Sequence, residues 1–170
     1  MKKLLLSVIL TFLTTITLNA KDMKAIFSDP QTWNGKIIPS EEVCSDFNIE
    51  AGHSPEIIVQ NVPKYTRVIV LSFSDETFPG MRNGGHGVVS YSIDIGEEKV
   101  TIPSFQGETF DLPEQFTSIS EHKGAKYGKE EGAYLAPCSG GKGNTYSVKI
   151  QAIDVEDKVL NTTTLILGKY

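Results

Sequence analysis

Asp75 and His86 are the pair of side chains in this sequence best placed to do chemistry together. They stand at the two ends of the connection between the stretches Arg67–Ser74 and Gly87–Ile95. If those stretches pair as neighbouring antiparallel strands, the two side chains meet at one rim of the sheet. A carboxylate near an imidazole favours the charged ring, fixes its orientation and leaves the second ring nitrogen to face a ligand. Between them, Glu76-Thr77-Phe78-Pro79 and the Gly84-Gly85 pair form a loop able to bring backbone N–H groups close to an anion. The alternative that spacing leaves open is plainer: Asp75 caps the turn and His86 is a hydrogen-bonded rim residue.

Other chemistry is excluded by motif. There is no GxSxG elbow, no HExxH and no CxxC, and Ser72 and Ser74 carry no signal that would make either a nucleophile. The three histidines, His53, His86 and His122, lack ligand-like spacing, so neither a metal nor another cofactor is expected. Gly140-Gly141-Lys142-Gly143 has the look of a phosphate loop, but Ala136 replaces the leading glycine and Gly143 stands where Ser or Thr belongs. A strand rather than a helix follows it, so the helix N-terminus that binds phosphate in such loops is missing. Asn161-Thr162-Thr163 fits a glycosylation sequon, a triplet common by chance.

The chain has 170 residues. Met1–Ala20 reads as a secretory signal: Lys2 and Lys3, an apolar run from Leu4 to Leu18, and a small residue at Ala20. A membrane anchor is the competing reading. Thr11, Thr14, Thr15, Thr17 and Asn19 within so short a segment favour cleavage, and Lys21 rather than Cys argues against a lipid-anchored product. Without Lys2 and Lys3, the 16 basic residues become 14 against 21 acidic ones, a charge of −7. That balance argues against nucleic acid or an anionic membrane as partner. Fifteen glycines, eight prolines and 39% apolar residues suit a turn-rich globular β protein with no stable membrane anchor. Oligomeric state is not legible. The two cysteines, Cys44 and Cys138, would meet an oxidising compartment, the periplasm or the exterior, and are read as bridged; two separate buried thiols is the alternative.

The elements that must position the pair are strands. Glu56–Val62 precedes a turn at Pro63. Arg67–Ser74 is apolar on both faces, as a central strand requires. Gly87–Ile95 alternates, with Val89, Tyr91, Ile93 and Ile95 on one face. Asn144–Asp154 alternates more cleanly, with Tyr146, Val148, Ile150 and Ala152 on one face. Thr162–Leu167 makes a last short strand. Residues 21–35 read as a loosely docked arm, residues 36–170 as one β domain, and Pro113–His122 as a weak helix. The long connections Asp75–His86 and Gly132–Gly143, and the poorly patterned stretch from Gly96 to Glu131, are where a site is expected. The fold class is mainly β, a sandwich.

The same residues resemble a known family, the phosphatidylethanolamine-binding proteins, and within it a divergent, exported member of the bacterial Raf-kinase-inhibitor-like branch. Ile38-Pro39 followed by Cys44 resembles the family's opening strand and Thr-Cys. Ser54-Pro55-Glu56-Ile57-Ile58-Val59 resembles its Ser-Pro-x-Leu-x-Trp, and Asn61-Val62-Pro63 with Arg67–Phe73 its turn and strand. Asp75-Glu76-Thr77-Phe78-Pro79 stands for its Asp-Pro-Asp-Ala-Pro, and Gly85-His86-Gly87-Val88-Val89 for its Trp-His-Trp-Val-Val. Tyr134-Leu135-Ala136-Pro137-Cys138 matches its Tyr-x-Gly-Pro-Cys, Asn144-Thr145-Tyr146 falls at His-Arg-Tyr, and Gln151–Asp154 ends the strand as the family's does. The likeness spans about Lys36 to Asp154, carried by the order and spacing of these motifs.

The resemblance implies a β-sandwich whose small end pocket binds anions such as phosphate groups, with Asp75 and His86 lining it and Pro79, Ala136, Cys138 and Tyr146 around them. It implies a Cys44–Cys138 bridge, because exported relatives carry both cysteines. The sequence departs from the family at Glu76, which adds a negative charge, at Thr77, and at Asn144 and Thr145, which remove a cation. The tail after Asp154 is too short for the family's usual C-terminal helix. The function expected is that of a non-enzymatic periplasmic binding protein holding a small polar or anionic ligand. The alternatives are an inhibitor of a protease or kinase acting through surface loops, and a hydrolase using His86 as general base with Asp75 orienting it.

Overall fold

A computed structural model describes residues 21–170, so the signal reading of Met1–Ala20 lies outside the described residues. Among the described residues, eight strands form two antiparallel sheets. β1 (Lys24–Phe27), β2 (Ile57–Gln60) and β5 (Lys99–Ile102) make the smaller, in the order β1-β2-β5. The larger holds β3 (Val68–Asp75), β4 (Val88–Ser92), β6 (Phe116–Ser120), β7 (Thr145–Ile153) and β8 (Val159–Lys169), in the order β6-β4-β3-β7-β8.

β3 is central, as its two apolar faces require. The alternation of β7 holds too: Tyr146, Val148, Ile150 and Ala152 are all buried. Ile57, Val59, Val100 and Ile102 of the small sheet share one buried cluster with Ile69, Leu71, Phe73, Val148 and Ile150 of the large one. Each such side chain removed from water contributes roughly 1.5–3 kcal/mol. Aromatic rings close the end of the sandwich nearest β3's last residues, with Phe73 4.6 Å from Tyr134 and Phe105 4.8 Å from Phe116, centroid to centroid.

Five expectations are corrected. The segment read as a loose arm contains β1, paired with β2 from Lys24↔Gln60 to Phe27↔Ile57, and it buries Met23 and Trp33. Pro113–His122 is no helix: Phe116–Ser120 pairs along the outer edge of β4 as β6, where β-branched Thr117 and Ile119 fit an extended chain. The unpatterned stretch after Gly96 also contains β5. The last strand extends from Val159 to Lys169, and β4 stops at Ser92, leaving Ile95 exposed. Helical structure among the described residues is limited to two short 3-10 segments, Pro79–Met81 and Lys123–Tyr127. No C-terminal helix forms, because a turn held by Asp154 Oδ1, which accepts from the N–H groups of Glu156 and Lys158, sends the chain back as β8.

Candidate ligand-binding pocket

The β3–β4 pairing brings the two sequence-predicted side chains to one rim. The ladder runs from Val68↔Ser92 to Ser72↔Val88 and continues past β4: the Phe73 N–H donates to the Gly87 carbonyl, and the His86 N–H to the Phe73 carbonyl. Asp75 is the last residue of β3 and pairs in register with Tyr146 of β7, so those two side chains share a sheet face. Asp75, His86 and Tyr146 are all buried, and all three border a cavity of about 470 Å³.

Two glycines explain how His86 is placed. At Gly85 a Cβ would lie 2.3 Å from the Met81 backbone, and at Gly87, with φ of +111°, it would lie 2.0 Å from the Ala133 carbonyl oxygen. No side chain fits either position. The close approach draws the segment Ala133–Leu135 alongside His86, where the Leu135 N–H donates to the His86 carbonyl at 2.9 Å. The Leu135 carbonyl in turn lies 2.8 Å from His86 Nδ1. A carbonyl oxygen only accepts, so Nδ1 carries the hydrogen.

Asp75 is held separately. Its Oδ1 accepts from the N–H groups of Thr77 (2.8 Å) and Phe78 (2.9 Å), and its Oδ2 accepts from Asn144 Nδ2 at 2.6 Å. Thus the carboxylate does cap the turn, as the plainer sequence reading had it, while also bordering the cavity. Orientation of the imidazole falls to Leu135, not to Asp75. Its charge state also differs from the expectation: burial lowers the His86 pKa to about 4, against the opposing pull of the Leu135 carbonyl and of Asp75. The neutral ring presents Nε2 as an acceptor, and no hydrogen bond to Nε2 exists among the described residues. Burial also raises the Tyr146 hydroxyl to about 12. That hydroxyl accepts the Cys138 N–H at 3.2 Å. The ring of Tyr146 meets His86 edge to face, 5.2 Å between centroids.

Cys44 and Cys138 are joined, their Cα atoms 5.2 Å apart, and Cys138 borders the cavity. The bridge anchors the segment carrying Asp46 and Phe47. Asp46 pairs with Lys129 of the rim, and the Phe47 ring lies under both Lys129 and Gly140. Pro79 and Ala136 do not border the cavity. Pro79 starts the 3-10 helix on its exposed side, leaving Phe78 and Met81 as the wall, and Ala136 is wholly buried, its backbone N 3.3 Å from where a Gly107 Cβ would stand.

The departures at Thr77 and Asn144 have local roles. Thr77 Oγ1 accepts the Thr145 N–H at 3.0 Å, stitching the loop to β7, and Asn144 holds Asp75. Glu76, expected to put charge beside the pocket, points to the other sheet face and accepts from the Ser147 hydroxyl. The cations that do border the cavity, Lys129 and Lys142, were not read as site residues. Lys142 lies in the glycine tract set aside as a failed phosphate loop; Lys129 has no sequence signal.

No family model matches the sequence, and no curated protein does. Solved structures do match. A phosphatidylethanolamine-binding protein homologue from Chlamydia trachomatis is 20% identical with a TM-score of 0.53, covering 88% of this chain and 97% of its own. YbcL of E. coli, described as a new member of the mammalian family of such proteins, is 17% identical with a TM-score of 0.55, covering 88% and 98%. This chain therefore has the fold of the phosphatidylethanolamine-binding proteins.

Proposed function

We propose that the protein is a non-enzymatic binding protein of the periplasm or exterior that holds a small polar or anionic ligand in the cavity beside Asp75 and His86. One observation carries this reading: a buried imidazole, fixed through Nδ1 by a backbone carbonyl, has its second nitrogen without a protein partner at a cavity of about 470 Å³. Ser74, the strand hydroxyl before Asp75, is buried, accepts the Gly84 N–H at 3.0 Å and does not border the cavity, which favours binding over nucleophilic chemistry. The Cys44–Cys138 bridge is compatible with an oxidising compartment. The test is thermal unfolding with a panel of small phosphates, sulfates and carboxylates. A ligand at a hundred times its Kd adds about 2.7 kcal/mol of stability, and the increment is expected to vanish in His86→Ala. Protection that persists in that variant removes His86 from the site.

A second reading, an inhibitor of a protease or kinase acting through its loops, is favoured by exposed apolar side chains on the loops. Ile49 is 98% exposed, and the rings of Phe47, Phe78 and Tyr127 are about half exposed around the cavity mouth. Affinity capture from a periplasmic extract separates the two: a stoichiometric protein partner retained by His86→Ala supports the inhibitor.

A further inference from the structure

Among the described residues, the edges of the two sheets are unequally protected. β1 and β5 have four residues each and β6 has five, and Lys24 and Lys99 stand on the first two. β8 is an edge of eleven residues. From Val159 to Ile166 it holds no charge and no proline, two of the devices that keep an open edge from pairing. Its register shifts lie toward its two ends, so the ladder from Asn161 to Ile166 is regular.

Two contacts fix which backbone groups face outward. The Thr162 N–H is met by the side chain of its neighbour, Asn161 Oδ1 at 2.7 Å, and so points away from β7. Alternation gives Thr164 and Ile166 the same direction, and the Ile166 carbonyl oxygen is 3.2 Å from where a Gly35 Cβ would stand. Beyond that point the edge is closed, because the Lys169 N–H donates to the Lys36 carbonyl and the Ile38 N–H to the Lys169 carbonyl. The open edge is therefore Val159–Leu165, with Thr162 at its midpoint. The Thr162 and Thr164 side chains are exposed, and Val159 is 46% exposed.

An open edge centred on an outward-facing residue is its own complement. We propose that two copies of the chain pair antiparallel along β8 about a twofold axis at Thr162, joining two five-stranded sheets into one. Thr162 of each copy then exchanges both main-chain bonds with the other, a threonine pair that cross-strand geometry favours. The exposed Val159 falls opposite Leu165 of the second copy. The same register carries the turn Asp154–Lys158, with three acids and one lysine, toward Lys36, the exposed cation at the closed end of the edge. Acid meets base at both ends of the seam, and this symmetry commits the edge to a second copy rather than to a peptide of arbitrary sequence. Gly168, which pairs with Tyr146 at the cavity, is six residues from the axis, about 20 Å. Both cavities stay open, at opposite ends of the joined sheet.

Sedimentation equilibrium of the purified protein between about 5 and 500 µM tests it. A seam this short buries less than a standard interface, and a dimer with a Kd of about 10–100 µM is expected. Thr162→Lys sets two cations face to face at the axis and is expected to weaken the dimer at least ten-fold, with the thermal midpoint of the monomer nearly unchanged because the side chain is exposed. Glu156→Lys and Lys36→Glu are each expected to weaken it about three- to five-fold, and the double exchange to restore it. A monomer up to about 500 µM overturns the proposal, whatever peptide the edge then captures. A dimer that Thr162→Lys leaves intact places the seam elsewhere and overturns it too. Failure of the double exchange to recover affinity overturns the register.

Discussion

Nδ1 of His86 lies 2.8 Å from the carbonyl oxygen of Leu135, and this contact decides which way the ring's chemistry faces. Because the backbone takes the Nδ1 hydrogen, the nitrogen left for a ligand is Nε2, and at neutral pH it is a lone pair. Long-range nitrogen NMR of the histidine side chains at pH 7 is expected to show His86 as the Nδ1–H tautomer. An Nε2–H signal would mean that Asp75 or another acceptor orients the ring instead.

The burial that keeps this ring neutral has a consequence for stability. Its pKa is about 4 in the folded chain against 6.5 for the free side chain. Below pH 6.5 the unfolded chain takes up a proton that the folded ring refuses until about pH 4, so the stabilisation is complete above 6.5 and is lost as pH falls through that window. The loss approaches roughly 3 kcal/mol. His122, also lowered by burial against the pull of Glu108 and Glu121, acts in the same direction. Urea midpoints at pH 7 and 4.5 are expected to differ much less in His86→Gln than in the parent protein.

Asn144 ties the glycine loop to the carboxylate. Asn144→Ala leaves the part-buried Asp75 Oδ2 without its 2.6 Å donor and is expected to cost about 1.5–3 kcal/mol. Denaturant unfolding measures this. A loss below about 0.5 kcal/mol would mean that water replaces the amide without penalty.

Much of this was legible in the sequence where periodicity and hairpin geometry act. The alternation of Tyr146, Val148, Ile150 and Ala152 needs only a half-buried strand, and Asp75 and His86 had to meet once β3 and β4 paired. β1 and β6 were not legible, because they are short edge strands with few buried residues, and pairing partners supply what their own pattern lacks. Leu135 was invisible as a site residue because its contribution is a backbone carbonyl. Lys129 and Lys142 come to the cavity from separate loops, along routes set by the Cys44–Cys138 bridge and by Tyr170, which no local spacing encodes.

Gly87→Ala tests the close approach that brings Leu135 to the ring. Its Cβ would collide with the Ala133 carbonyl at 2.0 Å in a backbone conformation with φ of +111°. A destabilisation of more than about 2 kcal/mol is expected by thermal unfolding. Near-neutral behaviour would show that the segment can move away.

Removing the disulfide by Cys44→Ser with Cys138→Ser is expected to cost about 2–5 kcal/mol. It should also weaken phosphate binding, since the bridge holds the segment whose Asp46 and Phe47 position Lys129. Parallel chemical denaturation and calorimetry separate the two effects; unchanged binding would detach the bridge from the pocket.

The role assigned to the rim cavity is tested most directly by a crystal structure of the protein purified from the compartment where it matures. The expected result is a bound small molecule with one atom within hydrogen-bonding distance of His86 Nε2 and another reached by Lys142. A native ligand seated elsewhere on the sandwich, with the Asp75/His86 rim holding solvent alone, would contradict it.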